Sequence, residues 1–300
     1  MYRFSGHETF PFRYTWLPKG VQGVMQNPSL FFEEEAMVKL GVGKNMVKSI
    51  RHWCETLSLI EFPERAQRAY PTQLGAALFG FDRWDPYLED PATLWLLHWL
   101  LVSRQERAST WYLAFTSFNV DLFDSRNLVE WLMKIIALNP NVRATPASVK
   151  RDVEVFLRTY TPSRATKPGP LSEDTFDCPL VELGLLREVE HGIYQFVRGP
   201  KPSLPDVIFV YALMDFWEQT ASQQQALTFE QILHGHGSPG AAFKISENAL
   251  TERLERLPRW SNLIYNDTAG RRQVFKHGIH SDGTRFAILS HHYGAIPAGL

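Results

Sequence analysis

Cysteine is scarce in this sequence, and its scarcity limits the kinds of site that the chain can build. Cys54 and Cys178 are its two cysteines among 300 residues. Two cysteines so far apart in sequence exclude a disulfide framework and a four-cysteine zinc site. A reducing cytoplasm is therefore the expected setting.

An excess of charge of one sign is also missing. The chain has 31 lysines and arginines against 32 aspartates and glutamates, which gives a formal net charge of -1. This balance excludes a protein coated in polyanion-binding surface. Any nucleic-acid site therefore has to be a local basic patch.

Long hydrophobic runs are absent as well. The longest apolar stretch, residues 94–102, is interrupted by His98 and is too short to span a bilayer. The opening segment, MYRFSGHETF, lacks the basic-then-apolar order of a signal peptide. No membrane partner is expected.

The sequence motifs of several large enzyme classes are missing too. The chain contains no GxxxxGKS/T, GxGxxG, HExxH or GxSxG, and no organic cofactor is expected. His277 and His280 would point to opposite faces of a strand, and the three glutamates at residues 33–35 diverge around a helix. His234 and His236 share a glycine-rich loop without a carboxylate pattern. The sequence therefore leaves the metal ligands unknown.

Apolar and aromatic residues are plentiful, at 44% and 13% of the chain, which suits a folded protein of two or three modules. The predicted fold class is mainly α with small β-hairpins (α+β), in which winged helix-turn-helix modules are joined by a helical middle segment. The expected division is an N-terminal arm and winged module over 1–85, a helical middle domain over 86–163, a linker over 164–176, and a C-terminal domain over 177–300.

The N-terminal region carries the pattern of a winged helix-turn-helix. Its first 30 residues are rich in aromatics, glycine and proline and are predicted as an extended arm or a loop packed on a domain. A helix over 32–40, a Gly-Val-Gly turn at 41–43 and a second helix with an apolar stripe follow. A short hairpin around the basic tip PERAQR then predicts the wing.

The second helix and the wing tip supply donors suited to phosphate oxygens or base edges. These predicted DNA-binding residues are Lys44, Asn45, Lys48, Arg51, His52, Arg65 and Arg68. DNA contact in a major groove is the predicted role. A winged module that contacts only protein is the alternative.

A second basic surface is predicted on a helix that begins at Pro146 with Thr145 as its N-cap. The DNA-binding candidates on one face of this helix are Lys150, Arg151 and Arg158. Arg143, Arg164 and Lys167 extend the same basic region. A DNA track and a merely solvated helix face are both open interpretations.

A third group of cations lies near the C-terminus. Residues 272–280 and 285–292 are predicted to form a β-hairpin, in a region that is also compatible with a second winged module. Its basic side chains are Arg271, Arg272, Lys276, His277, His280 and Arg285. Because they alternate with apolar positions, a structural role is favoured for them.

The N-terminal arm, SGHETFPFRYTWLPKG, holds the candidate catalytic residues His7, Glu8 and Arg13. A histidine can move protons, a carboxylate can hold water or a metal ion, and an arginine can stabilise phosphoryl charge. This set would serve phosphodiester hydrolysis if the side chains converge. The alternative is that His7 and Glu8 form hydrogen bonds that fix the arm in place.

Four segments resemble a bacterial family long described as of unknown function: SGHETFPFRYTWLPKG, LGVGKNMVKSIRHW, GSPGAAFKISENAL and DTAGRRQVF. The resemblance covers almost the whole chain in the same order. Members of this family occur beside genes for DNA phosphorothioation, in which sulfur replaces a backbone oxygen. The resemblance offers no catalytic motif that can be carried over residue by residue.

The resemblance implies a nickase that opens one DNA strand for sulfur insertion, with Mg²⁺ or Mn²⁺ as the expected helper. The implied partners are DNA, a cysteine desulfurase, an ATPase and an ATP-pyrophosphatase-like enzyme. Two other functions stay open on the residues alone. One is a DNA-binding recruiter or transcriptional regulator without catalysis, and the other is a scaffold whose winged modules bind proteins only.

Overall fold

A computed structural model describes residues 2–64, 66–81, 83–163, 177–268, 270–277 and 282–294. The predicted linker at 164–176 and the side chains of Arg65, Arg164, Lys167 and His280 lie outside these residues.

The described chain is mainly helical with small antiparallel sheets, as predicted. Its helices are α1 (Trp16–Gln26), α2 (Ala36–Leu40), α3 (Lys44–Thr56), α4 (Gln73–Phe79), α5 (Pro91–Val102), α6 (Ser109–Thr116), α7 (Ser125–Ala137), α8 (Pro146–Tyr160), α9 (Asp206–Ala221), α10 (Phe229–His234), α11 (Pro239–Ala242), α12 (Glu247–Glu255) and α13 (Asp282–Tyr293). Its strands are β1 (Ile60–Glu61), β2 (Tyr70–Pro71), β3 (Phe123–Asp124), β4 (Leu186–Glu190), β5 (Ile193–Phe196), β6 (Ala226–Thr228), β7 (Leu263–Thr268) and β8 (Arg271–Lys276). No helix in the described part of the chain is long and apolar enough to cross a membrane.

Helix α1 corrects the prediction of an extended arm over the first 30 residues, since the arm ends at Thr15. Its buried face includes Trp16, Leu17 and Val21 and packs against α3. Gly20 permits this contact, because a Cβ added there would lie 2.5 Å from the Cys54 Sγ. The glycines that suggested irregular chain are therefore close-packing positions inside a helix.

The turn between α2 and α3 has the predicted glycine-dependent geometry. Gly41 ends α2 with φ 68 in the left-handed region, and the Val42 N–H donates to the Met37 carbonyl at 3.1 Å. Such a bond closes a helix that is followed by a residue of positive φ. The predicted helix over 32–40 is divided, because a 3-10 turn at Leu30–Phe32 is followed by extended backbone at Glu33.

Helix α3 and the small hairpin after it follow the order of a winged module. Val47, Ile50 and Trp53 lie on the buried side of α3. Strands β1 and β2 then pair antiparallel, with Ile60 opposite Pro71. The element order is therefore as predicted, whereas the use of these elements as a winged DNA-binding module stays a prediction.

The core continues through the middle of the chain. Helix α5 is buried around its whole circumference from Ala92 to Val102, which is typical of a helix surrounded by other elements. Helix α8 begins as predicted, with the Thr145 hydroxyl accepting from the Ser148 N–H and Pro146 at the first helical position. Strand β3, which precedes the predicted linker in the sequence, pairs with β5, which follows it. One sheet therefore contains strands from both of the domains predicted on either side of residues 164–176.

The C-terminal region corrects a second prediction. The hairpin there is formed by β7 and β8, with Thr268 opposite Arg271, and β6 adds to the other edge of β8. The segment predicted as the second strand, residues 285–292, belongs to α13, which packs on α9. Ile288 and Leu289 are both buried, whereas neighbouring residues of a half-buried strand would point to opposite faces.

Candidate nucleic-acid interface

A buried carboxylate on α8 holds the N-terminal arm against the helical core. Asp152 is 1% exposed, and its two oxygens accept from the Ser5 N–H at 2.6 Å, the His7 Nε2 at 2.7 Å and the Thr110 Oγ1 at 2.8 Å. Three donors to one carboxylate satisfy a buried charge that would otherwise be costly. The arm is therefore fixed to α8 by its first residues.

His7 lies inside this anchor with both ring nitrogens engaged. The Thr9 N–H donates to its Nδ1 at 3.1 Å, which requires the proton on Nε2, where it is donated to Asp152. The ring packs between Trp53 and Trp111. This geometry supports the structural alternative for His7, because the ring is buried and both nitrogens have partners within the protein.

Half-buried Glu8 and exposed Thr9 form the tip of the arm and contact cations from two different helices. The Lys48 Nζ of α3 lies 3.4 Å from the Glu8 carboxylate, and the Arg158 guanidinium of α8 donates to the Thr9 carbonyl at 2.6 Å. Glu8 and Thr9 both have positive φ, which turns the chain outward between the helices. The two basic surfaces predicted separately thus meet at consecutive residues, and we call this set (Glu8, Thr9, Lys48 and Arg158) the arm-tip surface.

The other predicted donors of α3 divide into exposed and covered side chains. Lys44 and Asn45 are exposed at the first turn of the helix. Arg51 is half-buried, and its guanidinium stacks over the rings of Phe32 at 4.8 Å and Phe62 at 4.4 Å. Two aromatic faces position this cation, so it is held rigidly beside the hairpin.

His52 corrects the prediction that it projects outward from α3. The side chain is buried, and Gly6 of the arm lies so close that a Cβ there would come within 2.5 Å of the His52 Nδ1. Burial, with the nearby charge of Arg3, lowers the pKa of His52 to about 3. A neutral, covered imidazole cannot reach a DNA phosphate, so His52 supports the arm instead.

The α8 candidates lie on the outside of their helix. Lys150, Arg151 and Arg158 are all exposed, and Lys150 has Glu154 within 4.0 Å. Arg143 before α8 and Arg68 in the hairpin are exposed as well. These positions agree with the predicted basic surface and leave its role in DNA binding as a prediction.

Arg13, the third catalytic candidate, enters a different environment from His7 and Glu8. It is mostly buried, and its guanidinium lies over the Trp16 ring at 5.0 Å and near the Phe10 ring at 5.9 Å. The geometry therefore gives Arg13 a packing role at the start of α1. Its catalytic role stays a prediction.

The C-terminal cations are engaged by nearby acids. Arg272 lies 2.9 Å from Glu247 and 3.7 Å from Glu230, and Arg285 pairs with Asp215 and with Glu218. These contacts support the structural interpretation that the sequence favoured.

Carboxylates and histidines do not gather into a metal site in the part of the chain that the structure describes, where no group of three or more such ligands is close enough to hold an ion.

Asp152 is the residue that sequence reasoning missed. It falls on the buried side of α8 with Val149, Val153 and Phe156, and a lone acid on an apolar stripe requires partners. The sequence therefore indicates that Asp152 needs partners. It does not identify them, because His7 is 145 positions away in sequence.

Comparison with known proteins gives a consistent result. A family model described as "Protein of unknown function (DUF4007)" matches residues 4–293. A crystal structure of SspB with a bound magnesium ion matches at 31% identity and a TM-score of 0.86, over 97% of this chain and 87% of that one. A second SspB crystal structure matches at 31% identity and a TM-score of 0.85, with the same coverage. No curated protein matches the chain.

Proposed function

The chain belongs to the DUF4007 family, and from this membership we propose that it binds DNA in a phosphorothioate modification system and nicks one strand to permit sulfur incorporation. The likeness to SspB over almost the whole chain supports the assignment to such a system. Its partners would then be DNA and the cysteine desulfurase, ATPase and ATP-pyrophosphatase-like proteins of that system.

The observation that carries the DNA-binding part is the arm-tip surface. Lys48 and Arg158 reach it from α3 and α8. A DNA strand laid across the tip would place phosphates between these two cations, with Lys44 and Asn45 exposed further along α3. In this arrangement α3 serves as the recognition helix of a winged module, and the hairpin with Arg68 grips the flanking backbone.

Glu8 is the carboxylate best placed for strand cleavage in this proposal. A nick requires water to add to phosphorus while one phosphorus–oxygen bond breaks. Lys48 and Arg158 would stabilise the negative charge that develops on the phosphoryl oxygens. Glu8, at 3.4 Å from Lys48, would orient or deprotonate the attacking water.

A magnesium ion has been seen in SspB, which makes Mg²⁺ or Mn²⁺ the expected helper. The described residues do not fit a cage built from protein ligands alone, because no group of three candidate ligands converges in them. Magnesium commonly keeps several waters and uses one or two carboxylates plus substrate phosphates. No step of the proposed reaction is assigned to a protein-built metal centre.

Relaxation of supercoiled plasmid tests the nickase proposal. The purified protein with Mg²⁺ or Mn²⁺ is expected to convert supercoiled plasmid into the open circular form. Glu8→Gln is expected to lose this activity and retain DNA binding, because it removes a carboxylate and no cation. Glu35→Gln, which changes an exposed glutamate before α2, should nick like the natural sequence. If the supercoiled band persists both with Mg²⁺ and with Mn²⁺, the nicking proposal is rejected. The DNA-binding proposal is not affected by that result.

A second candidate function is a DNA-binding recruiter or regulator without catalysis. Two observations favour it: the His7 nitrogens are both committed to the arm anchor, and Arg13 packs away on Trp16. This function predicts salt-sensitive DNA binding with the plasmid left intact. The relaxation assay therefore separates the two functions directly.

A further inference from the structure

A cavity of about 430 Å³ lies apart from the residues of the arm-tip surface. It is bounded by the chain that follows α6, by β4 and the end of β5, and by Lys244 after α11. Its charged and amide-bearing lining residues are Asn119, Asp121, Arg187, Gln195, Arg198 and Lys244. The proposed nickase function makes no use of any of them.

Lys244 is the unusual member of this lining. It is 2% exposed and has φ 53 in the left-handed region. Its Nζ donates to the Phe115 carbonyl at 2.6 Å and lies 4.2 Å from the centre of the Phe196 ring. An ammonium has three donors, and no carboxylate in the described part of the chain forms an ion pair with it.

A second cation, Arg198, lies near this lysine. Lys201 donates to the Val197 carbonyl at 2.7 Å, and the Arg198 charge lies near both lysines. Burial and the Arg198 charge lower the pKa of Lys244 to about 7 and that of Lys201 to about 8. A buried cation beside other cations is destabilising unless an anion compensates it. Stability alone would favour an apolar residue at position 244.

The charge of the cavity indicates what such an anion would be. Arg187, Arg198 and protonated Lys244 contribute three positive charges and Asp121 contributes one negative charge, which leaves an excess of two. A phosphate monoester carries about -1.5 to -2 near pH 7. Its oxygens match guanidinium and ammonium donors, and Gln195 already orients Arg187 by accepting from it at 2.6 Å.

We propose that this cavity binds a phosphate monoester through Lys244, Arg198 and Arg187. The shared chemistry is the terminal phosphate, which a free phosphate ion, a mononucleotide or a nucleic-acid end can each supply. Asn119 and Gln195 are the neutral hydrogen-bonding groups beside it that would contact whatever the phosphate is attached to. The site requires neither duplex binding nor nicking, so it stands or falls separately from the proposed function.

Calorimetric titration of the full chain tests the site. The probes are inorganic phosphate, AMP, a 5′-phosphorylated dinucleotide and the same dinucleotide with a 5′-hydroxyl. At least one phosphorylated probe should bind with a Kd of about 1 mM or tighter, and the hydroxyl dinucleotide should bind at least roughly tenfold more weakly than its phosphorylated form. The tightest phosphorylated probe identifies which source the site prefers.

Two variants locate the binding. Lys244→Met and Arg198→Ala should each weaken the tightest probe by roughly tenfold or more, while Lys134→Met on the exposed side of α7 should not. Both variants should unfold cooperatively like the natural chain, because Lys244→Met removes a buried charge and Arg198→Ala changes an exposed side chain. The proposal is overturned if no phosphorylated probe binds, if the hydroxyl dinucleotide binds equally well, or if both variants bind unchanged.

Discussion

Asp152 shows at the level of a single residue how the arm is attached. Its carboxylate collects donors from Ser5, His7 and Thr110, which come from the arm and from α6. The neighbouring charged residues on α8, including Lys150, Arg151 and Glu154, are exposed. The same helix therefore anchors the arm with its inner face and presents cations with its outer face.

Replacing Asp152 with alanine is expected to destabilise the protein by about 3 kcal/mol, because three donors, of which those of His7 and Thr110 are buried, lose their acceptor at roughly 1 kcal/mol each. Urea unfolding measures this change. Glu154→Ala, an exposed acid on the same helix, is the control and should change stability by less than about 0.5 kcal/mol. Equal effects of the two substitutions would contradict the anchoring role.

Helix α3 and the arm depend on each other at the level of elements. Gly6 has φ 115, and its Cα faces His52 so closely that a methyl group would meet the His52 Nδ1 at 2.5 Å. That contact covers His52, and the positive φ values of Glu8 and Thr9 then turn the next residues of the arm outward. The arm-tip surface is thus positioned by a glycine that has no chemistry of its own.

Gly6→Ala is expected to lower stability by about 2 kcal/mol, through positive φ and the clash with His52. Gly192→Ala isolates the first cause, since Gly192 has φ 75 with open space around it, and should cost only about 1 kcal/mol. Thermal unfolding compares the two variants. If Gly6→Ala proved no worse than Gly192→Ala, the close packing of the arm on His52 would be wrong.

Elements with local signals were predictable from the sequence, and elements defined by distant packing were not. The Gly41 turn and the Thr145 cap are encoded by neighbouring residues. Helix α1 was not predicted because glycines usually interrupt helices. The reason for a glycine in this helix, the close packing of Cys54 on Gly20, is visible only in the structure. Helix α13 was mistaken for a strand because the packing of Leu289 on α9 lies outside any local window.

The candidate site was predictable only in parts for the same reason. Lys48 and Arg158 were each expected on an exposed helix face, and both are found there. Nothing in their spacing indicates that Glu8 and Thr9 join them. The arm-tip surface forms only through contacts of the arm with residues distant in sequence. The prediction that His52 is exposed was wrong for the same reason, because the arm covers it.

The buried apolar side chains that the structure describes form one hydrophobic core, and neutral histidines are buried with them. His98 on α5 uses both nitrogens, with its Nδ1 2.8 Å from the Tyr160 hydroxyl and its Nε2 2.9 Å from the Ala242 carbonyl. Burial lowers its pKa to about 3, as burial does for His52. The unfolded chain, where histidine titrates near its ordinary pKa of about 6.5, therefore binds protons that the folded chain does not.

Stability is expected to fall as the pH drops below about 6.5 and to continue falling toward pH 3, since protons bind preferentially to the unfolded chain in that interval. Urea midpoints at pH 7, 6 and 5 measure this trend. His98→Gln, which carries no charge at any of these values, should be less stable at pH 7 and should lose less stability on acidification. Parallel pH profiles for the two proteins would contradict the neutral buried state of His98.

The salt dependence of duplex DNA binding tests the arm-tip surface most directly. Affinity is measured by fluorescence anisotropy across a series of salt concentrations for the natural chain, for Lys48→Ala/Arg158→Ala, and for Arg256→Ala, an exposed control on the α12 side of the molecule. The double variant should bind more weakly, and its slope of log affinity against log salt should be shallower by about 2, one unit for each lost phosphate contact. An unchanged affinity and slope in the double variant would contradict DNA binding at this surface.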